Sequence, residues 1–516
     1  MAGILEIGVS GLLAFQRSLN TTGHNIANSD TVGYSRQRTI LSTQVPQIRG
    51  SSWIGSGVKV AEIQRTYDDF LATQMRSAQS TASELGSFFD HASRIDNLLA
   101  DPNVGLDPTL QGFFDAMQVA ADDPSSIPGR QLLLAESRSL VDRFHHLSGQ
   151  FESQRDQLNQ ELASVSNEIN GLAESLARVN QSIIEALGAS GGADPNDLLD
   201  QREVLLNELS QRVEITTVAQ DDGAWNVFVG KGQALVMGGV ASKLTTLPGT
   251  PDASRHDIAM TTQSGTQIIT DQLAGGEIGG LLSYRSQMLD PAQNQLGLVA
   301  IGIGERVNAQ HALGLDLEGN VGGAVFSSPQ IQILSNGGPA VTATMVDSGN
   351  LTASDYQLEL DGGGQLMLTR LNDGQTFGPL AVGTTAEIDG FTLDIPAGIV
   401  AGERYLVQPT RQAASQLELE IRDPRKFALA GPLRTQPGSN SCNAAISQPD
   451  VASSGGLPLA GPVTLTWTAD VNGDGTSDDP GFNVNGPAGA TTLAYDPTSD
   501  SSGATFSLAA YGDASF

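Results

Sequence analysis

Apolar residues recur along this chain with two periods, three-to-four and two, and the change from one to the other divides the sequence. At the start, Leu5, Leu12, Phe15, Leu19 and Ile26 fall on one stripe of a helix. The stripe ends at Asn28-Ser29-Asp30-Thr31, where short polar side chains bond their own backbone and favour a turn. Gly33 then lets the chain redirect before the extended run Arg38-Thr39-Ile40-Leu41. Turn signals at Gly50-Ser51-Ser52 and Gly55-Ser56-Gly57 interrupt the extended stretch 37–63. Helical spacing resumes through Tyr67, Leu71, Met75, Leu85, Phe88, Ile95 and Leu99 and stops at Asp101-Pro102. Asp107-Pro108, read as N-cap and first helical residue, introduces a helix that places Leu110, Phe113, Phe114 and Met117 together.

The most regular stretch follows Pro128. Leu140, Phe144, Leu147, Phe151, Leu158, Leu162, Val165, Ile169, Leu172, Leu176, Val179 and Ile183 alternate steps of three and four, with a polar interruption at Gln154. That is a heptad seam, and a helix from Pro128 to Leu187 extends for about 90 Å at 1.5 Å per residue. Gly149 and Gly171 weaken it by roughly 1 kcal/mol each relative to Ala. Gly188–Gly192 ends it, and Asp194-Pro195 caps a return helix carrying Leu198, Leu199, Leu205, Leu206 and Leu209. Because the return helix offers a local partner, packing within one subunit is favoured over a coiled coil between subunits.

Period two takes over at 213–218, 225–229 and 234–237, with Asp221-Asp222-Gly223 and Gly230-Lys231-Gly232 as turns, which reads as a β-meander. Helix returns over Ile278–Ala312, and β text fills 330–408 and 457–516, with Val463, Leu465 and Trp467 alternating with threonines. The expected class is α+β and multidomain: a terminal helix, a long coiled-coil-like helical domain, then β-rich outer modules. The divisions are residues 1–36, 37–212, 213–275, 276–320, 321–436, a Ser/Gly/Pro-rich linker at 437–456, and 457–516.

Composition narrows the partners. The 57 acidic and 27 basic residues give a net charge of −30, which argues against nucleic acid or an anionic membrane. Cys442 is the only cysteine, so no intrachain disulfide forms, and its neighbours Ser441, Asn443 and Ala444 would not depress its pKa. No run of about 18 apolar residues predicts a membrane span. The N-terminus lacks the basic region and small-residue cleavage site of a signal peptide. A solitary amphipathic stripe at the terminus needs a partner, either the chain's other end or copies of itself.

Two sets of residues carry a resemblance. Ser10-Gly11-Leu12-Leu13-Ala14 with Asn25-Ile26-Ala27-Asn28 and Thr31-Val32-Gly33-Tyr34-Ser35-Arg36 resembles the N-terminal signature of the rod, hook and hook-associated axial proteins of bacterial flagella. Asp197-Leu198-Leu199-Asp200-Gln201-Arg202-Glu203, Asn226–Gln233, Leu289-Asp290-Pro291-Ala292 and Asn308-Ala309-Gln310-His311 are similar, more narrowly, to the hook-associated protein 1 family. The likeness spans about the first 430 residues. It implies a structural adaptor at the hook–filament junction, outside the cell, exported uncleaved by the flagellar type III apparatus. The implied partners are copies of itself, the hook protein, the second hook-associated protein and an export chaperone. Leu5, Leu12, Phe15, Leu19, Asn25, Ile26, Asn28, Gly33 and Tyr34 are the expected assembly contacts. Members of the family close with an apolar C-terminal helix that pairs with the first. This chain ends in β and turn text at Ala509–Phe516, so either it is incomplete or its inner shell is built differently, and weak polymerisation is expected if nothing follows Phe516.

Catalytic templates fail: there is no His-Glu-x-x-His, no phosphate-binding Gly-x-x-x-x-Gly-Lys-Ser/Thr and no Cys-x-x-Cys, so no enzyme is expected and no cofactor. His145 and His146 point about 100° apart on one helix, so solvated surface is expected for both. His24 suits an interface or cap, and a cationic His311 near a helix end would suit the dipole. One metal candidate survives. Asp470, Asn472, Asp474, Thr476 and Asp478 follow the alternating spacing of a calcium loop with Gly475 at its sixth position, but Gly481 stands where the bidentate Glu belongs. The alternatives are another axial protein such as hook or distal rod, which the heptad stretch counts against, and a secreted calcium-stabilised adhesion protein, which leaves the N-terminal box unexplained.

Overall fold

In the computed structural model, helix α1 (Ala2–Ala27) leads into four strands, β1 (Gln37–Thr43), β2 (Gln47–Arg49), β3 (Ser52–Ile54) and β4 (Val58–Arg65). Residues 2–49, 51–101, 105–190, 193–262, 265–438, 445–451, 459–487, 489–500, 505, 507–508 and 514–515 are described. Cys442, residues 439–444 and 452–456 of the expected linker, and most of the final segment from 501 therefore lie outside the described residues, as do parts of the Pro102 and Gly191-Gly192 stops. The helices α2 (Asp69–Ala100), α3 (Asp107–Asp122), α4 (Ile127–Ser190) and α5 (Asn196–Arg212) follow. The chain folds into two units, residues 1–97 with 151–291, and residues 98–150 with 292–516.

In the first unit, β1 and β4 pair antiparallel, from Gln37 opposite Arg65 to Thr43 opposite Val58, and β2–β3 is the hairpin between them. After α5 comes the expected meander, now four antiparallel strands in sequence order: β5 (Ile215–Ala219), β6 (Trp225–Val229), β7 (Gln233–Met237) and β8 (Val240–Ala241). A second sheet, β9 (Lys243–Pro248), β10 (His256–Thr262) and β11 (Gly265–Ile268), had no clear signal, because its strands are rich in Thr and lack a clean apolar alternation. Then α6 (Gly276–Tyr284) runs through one π-helical stretch, Arg285–Leu289, into α7 (Asp290–His311). The sequence reads this segment as one uninterrupted helix, since a π turn keeps every backbone group bonded and leaves no composition signal.

The seam of α4 is buried as a core. Leu158, Leu162, Val165, Ile169, Leu176, Val179 and Ile183 are all inaccessible or nearly so, while Leu172 is only half-buried and Ala173 takes the inward place. The return helix α5 does run back beside it, its last residue Arg212 pairing with Glu168 of α4 (2.9 Å), and the β region adds to the cover. Three asparagines on α4 also bond backbone in the sheets and their turns. Asn159 donates to the Ser254 carbonyl (2.8 Å), Asn170 exchanges bonds with Leu244 (2.7 and 2.8 Å), and Asn180 donates to the Trp225 and Gly238 carbonyls (2.8 and 2.9 Å). At Leu244, which is buried, these bonds satisfy backbone groups that would otherwise lack partners, at a cost of about 1–3 kcal/mol each. The helix starts also shift. Asp107 and Pro108 lie inside α3 after Leu106, and Pro195, with no side-chain cap bond, precedes α5.

In the second unit, a five-stranded antiparallel sheet has the order β12 (Gln332–Ser335), β19 (Arg404–Gln408), β14 (Tyr356–Leu360), β15 (Leu366–Arg370), β16 (Thr376–Leu380). A three-stranded sheet, β13 (Thr342–Met345), β18 (Phe391–Ile395) and β17 (Thr384–Ile388), faces the same core of Tyr356, Leu358, Leu368, Phe391, Leu393 and Val407. Short strands β20 (Asp450–Val451), β24 (Ser507–Leu508) and β25 (Ala514–Ser515) pair together. A small sheet of β21 (Thr464–Thr468), β22 (Gly481–Gly486) and β23 (Gly489–Ala494) is centred on Val484, with Val463 and Leu465 packed on it and Trp467 half-exposed.

The Asn308-Ala309-Gln310-His311 motif is architectural. Asn308 accepts from the Val325 and Phe326 amides (2.7 and 3.0 Å) and donates to the Phe326 carbonyl (2.8 Å). One turn later, the His311 ring is buried, with Nδ1–H donating to the Gly323 carbonyl and Nε2 accepting from the Ala428 amide, both at 2.7 Å. That geometry requires a neutral ring, and burial holds its pKa below the ordinary histidine value. The cationic, dipole-stabilised His311 expected from its position is thus corrected: desolvation outweighs the helix end. His145 and His146 are both exposed, as expected, and His145 Nε2 lies 2.8 Å from the Leu417 carbonyl.

Candidate assembly interface

Helix α1 packs on β1 and β4 through small and polar residues. Ala14 and Thr21 are buried and Ser10, Ser18, Asn25 and Asn28 half-buried, at the three-to-four spacing of one helical face. Small side chains let helix and hairpin approach closely. Ser10 Oγ accepts from the Val58 amide (3.2 Å), Thr39 Oγ1 donates to Thr21 Oγ1 (3.2 Å), and a Cβ on Gly57 (φ +102°) would collide with Ser10. The large apolar residues therefore point the other way. Leu5 and Leu12 are each 74% exposed, Phe15 63%, Leu19 73% and Ile26 71%. Ile4, Val9 and Leu13 extend the same exposed surface.

The nine nominated residues separate into these five and four that make contacts within the chain. Asn25 Oδ1 accepts from the Tyr34 hydroxyl (2.7 Å) and the Gln37 amide (2.9 Å), and Asn25 Nδ2 donates to the Gln37 carbonyl (2.9 Å). Asn28 Nδ2 donates to the His24 carbonyl (3.0 Å), closing the helix end. The His24 ring meets Tyr34 edge-on, with Nδ1 3.1 Å from its hydroxyl. Burial, then the nearby Asp197 and Asp200 carboxylates, push the Tyr34 pKa up. Gly33 adopts φ +79°, and a Cβ there would overlap the Val204 side chain. The box thus folds the chain back on α1 and seats it on α5.

Residues that sequence reasoning did not nominate hold that seat. Arg65 pairs with Asp200 (3.2 Å) and Glu203 (3.7 Å), Arg76 pairs with Glu203 (2.8 Å), and Arg65 lies 4.1 Å over the Tyr67 ring. Arg202 stacks 4.3 Å over Trp225 and donates to the Gly223 carbonyl, burial pulling its pKa down to about 10. Burial, reinforced by Glu203, pushes Tyr67 up to about 12. The signal was the Asp197–Glu203 motif itself, whose carboxylates Asp200 and Glu203 find Arg65 and Arg76 more than a hundred residues away in sequence.

The calcium-loop residues fall together between β21 and β22. Asp470 accepts from the Gly473, Asp474 and Gly475 amides (2.7, 3.2 and 2.8 Å), and Asn472 accepts from the Asp474 amide (2.8 Å). Asp474 accepts from the Thr476 amide (2.8 Å), which with the Thr476 hydroxyl lowers its pKa, and Asp478 lies 2.9 Å from that hydroxyl. The loop's oxygens thus face its own donors. Among the described residues, no group of three or more His, Cys, Asp or Glu side chains is arranged to hold a metal ion. Nor is any helix among them long and apolar enough to cross a membrane.

Comparison with known proteins gives this arrangement a context. Residues 5–34 match the model of the flagella basal body rod protein family, residues 92–326 that of the flagellar hook-associated protein FlgK helical domain, and residues 334–409 that of the flagellar hook-associated protein 1 D2-like domain. Fold and matches together define an axial structural protein of the bacterial flagellum. Flagellar hook-associated protein 1 of Salmonella typhimurium is 34% identical over 445 residues, covering 85% of this chain and 80% of that protein. The Escherichia coli protein of the same name is 33% identical over 438 residues, covering 83% and 80%. The solved flagellar hook junction protein FlgK from Burkholderia pseudomallei superposes with a TM-score of 0.72 at 28% identity, over 83% of this chain and 80% of that one. The chain belongs to the flagellar hook-associated protein 1 family.

Proposed function

We propose that this chain is a structural adaptor subunit of the hook–filament junction, adding to the distal end of the hook and providing the base for filament attachment. The observation that carries this is the inverted packing of α1. Its small polar face is used within the subunit and its Leu12-Phe15-Leu19 face is left for others. Fully burying each such side chain contributes roughly 1.5–3 kcal/mol, enough in concert to drive association. The partners proposed are copies of itself, the hook protein and the second hook-associated protein, with an export chaperone and the flagellar type III apparatus acting before assembly. On this reading the protein works outside the cell, leaves it with its N-terminus uncleaved, and acts by its surfaces rather than by catalysis.

Immunogold labelling of isolated hook–filament structures with antibody to residues 330–500 tests the proposal. Gold in a narrow band where hook meets filament is the expected result. Labelling along the hook, over the cell surface, or absent from flagella overturns it. A calcium ion at Asp470, Asn472, Asp474, Thr476 and Asp478 is a separate proposal, resting on loop spacing, and is tested by titration as described below.

A further inference from the structure

The Asp197–Glu203 motif has no role in the reading above, yet its helix makes a dense set of polar contacts to the N-terminal module. Asn196, Asp200 and Glu203 recur at steps of four and three, so they share one face of α5. Along that face, Asn196 Nδ2 donates to the Ile63 carbonyl (2.7 Å) and Asp200 Oδ2 accepts from the Ser35 amide (2.8 Å). The other Asp200 oxygen takes Arg65, while Glu203 takes Arg65 and Arg76. Next to this face, Asp197 accepts from the Gln37 side chain (3.0 Å), and Val204 leaves room only for a glycine at position 33.

These contacts share a target. Ser35 and Gln37 stand where the chain leaves the α1 turn, and Ile63 and Arg65 where β4 leaves the hairpin, so α5 grips both ends of the module at its base. The side chains of Arg65, Asp200 and Glu203 are only 8–10% exposed, so removing one partner leaves a charge in a poorly solvated place. Charge segregation adds to the grip. Residues 1–66 carry six basic and three acidic side chains, leaving 21 basic and 54 acidic to the rest of the chain. The acidic body thus holds a slightly basic module through carboxylates on one helix.

We infer that Asp200 and Glu203 are positioning residues for assembly. They fix the direction in which the apolar face of α1 leaves the body, so that subunits present that face in one geometry. The inference rests on the junction reading for its consequence, but the docking it describes belongs to the single subunit. A module attached by two crossing chain segments without these pairs would sample many directions, and ordering it at each addition would cost association free energy.

The test compares full-length Asp200→Ala with Leu12→Asp and wild type in two readouts. Amide hydrogen exchange at Ser35 and along β1 and β4 in the monomer reports docking, and addition to purified hook ends reports assembly. Asp200→Ala is expected to speed exchange there at least tenfold while exchange in α4 stays within twofold, and to reduce addition at least tenfold. Leu12→Asp is expected to lose addition with exchange unchanged. If Asp200→Ala does not fold, Asp200→Asn, which keeps an acceptor for the Ser35 amide, and Arg65→Gln are read in the same way. Unchanged exchange in Asp200→Ala overturns the docking role. Faster exchange with normal addition overturns the positioning role. Wild type that does not add to hook ends sinks the junction reading and the consequence drawn from it, with the exchange result still judging the docking.

Discussion

Helix α1 and the distal half of α4 carry the same kind of apolar stripe and meet opposite fates. In α4 the stripe is the core, with Leu162 and Ile183 wholly buried, whereas in α1 Leu12 and Leu19 remain about three-quarters exposed. The difference lies in the other face of each helix. Away from its stripe α4 is charged and solvated, so only its apolar side packs. The second face of α1 is lined by Ser10, Ala14, Ser18 and Thr21, small enough to nest on β1 and β4, and that contact uses up the subunit's own hairpin. An apolar stripe therefore shows that a helix needs a partner, and the small-residue face shows whether the subunit has already spent its own.

The comparison breaks most sharply under truncation. Phe151→Ala, at the buried seam, is expected to destabilise the monomer by about 3–5 kcal/mol, as large-to-small changes in cores do. Leu12→Asp should leave monomer stability within about 0.5 kcal/mol and abolish incorporation. Urea unfolding followed by circular dichroism reads both, and equal losses would mean that the α1 face already has an intramolecular partner. Asn170→Ala, which strands the Leu244 backbone groups, should cost about 1–3 kcal/mol by the same measurement. Next comes Gly33→Ala. At φ +79° and against Val204 it should destabilise by more than about 1 kcal/mol, with Val204→Ala restoring part of the loss; full stability in Gly33→Ala would show that the turn is not held against α5.

Proton and ion effects are smaller. Burial keeps His311 below the ordinary pKa of about 6.5, despite the opposing pull of the Gly323 carbonyl, Asp316 and Lys426's backbone. The unfolded chain takes up the proton first, so this contribution to stability is fully present above about pH 6.5 and is lost as pH falls below it. Wild type should lose urea resistance between pH 7 and 5 more steeply than His311→Gln, and identical slopes would refute the assignment. The exposed stripe of α1 contains no titratable side chain, so assembly through it should change little over that interval. Calcium should raise the melting temperature of the protein only through the 470–478 loop; a shift that persists in Asp470→Ala with Asp474→Ala places the effect elsewhere.

Several elements were legible because their cause is local. Helix α2 was expected to stop at Asp101-Pro102 and ends at Ala100, and the β-meander appears where Gly223, Gly230 and Gly232 mark its turns. Others failed for an equally physical reason. The sheet of β9, β10 and β11 is stabilised by Asn159 and Asn170 reaching from α4, a contribution invisible in the Thr-rich strands themselves. The π-helical stretch Arg285–Leu289 satisfies its own backbone and has no composition signature. His311 was read as a charge for a helix dipole because its partners, Gly323 and Ala428, become neighbours only on folding.

For the interface, the sequence by itself determined that α1 is amphipathic, that Gly33 reverses the chain, and that the family's motifs are present. Periodicity and backbone allowance act over a few residues, so they can be read along the chain. Only the tertiary structure decided that Leu12, Phe15 and Leu19 face outward while Asn25 and Tyr34 are bonded within the subunit. It alone placed Asp200 and Glu203 beneath the module. Those outcomes depend on which surfaces compete for burial and which charges are desolvated together, and both are set by residues far apart in sequence.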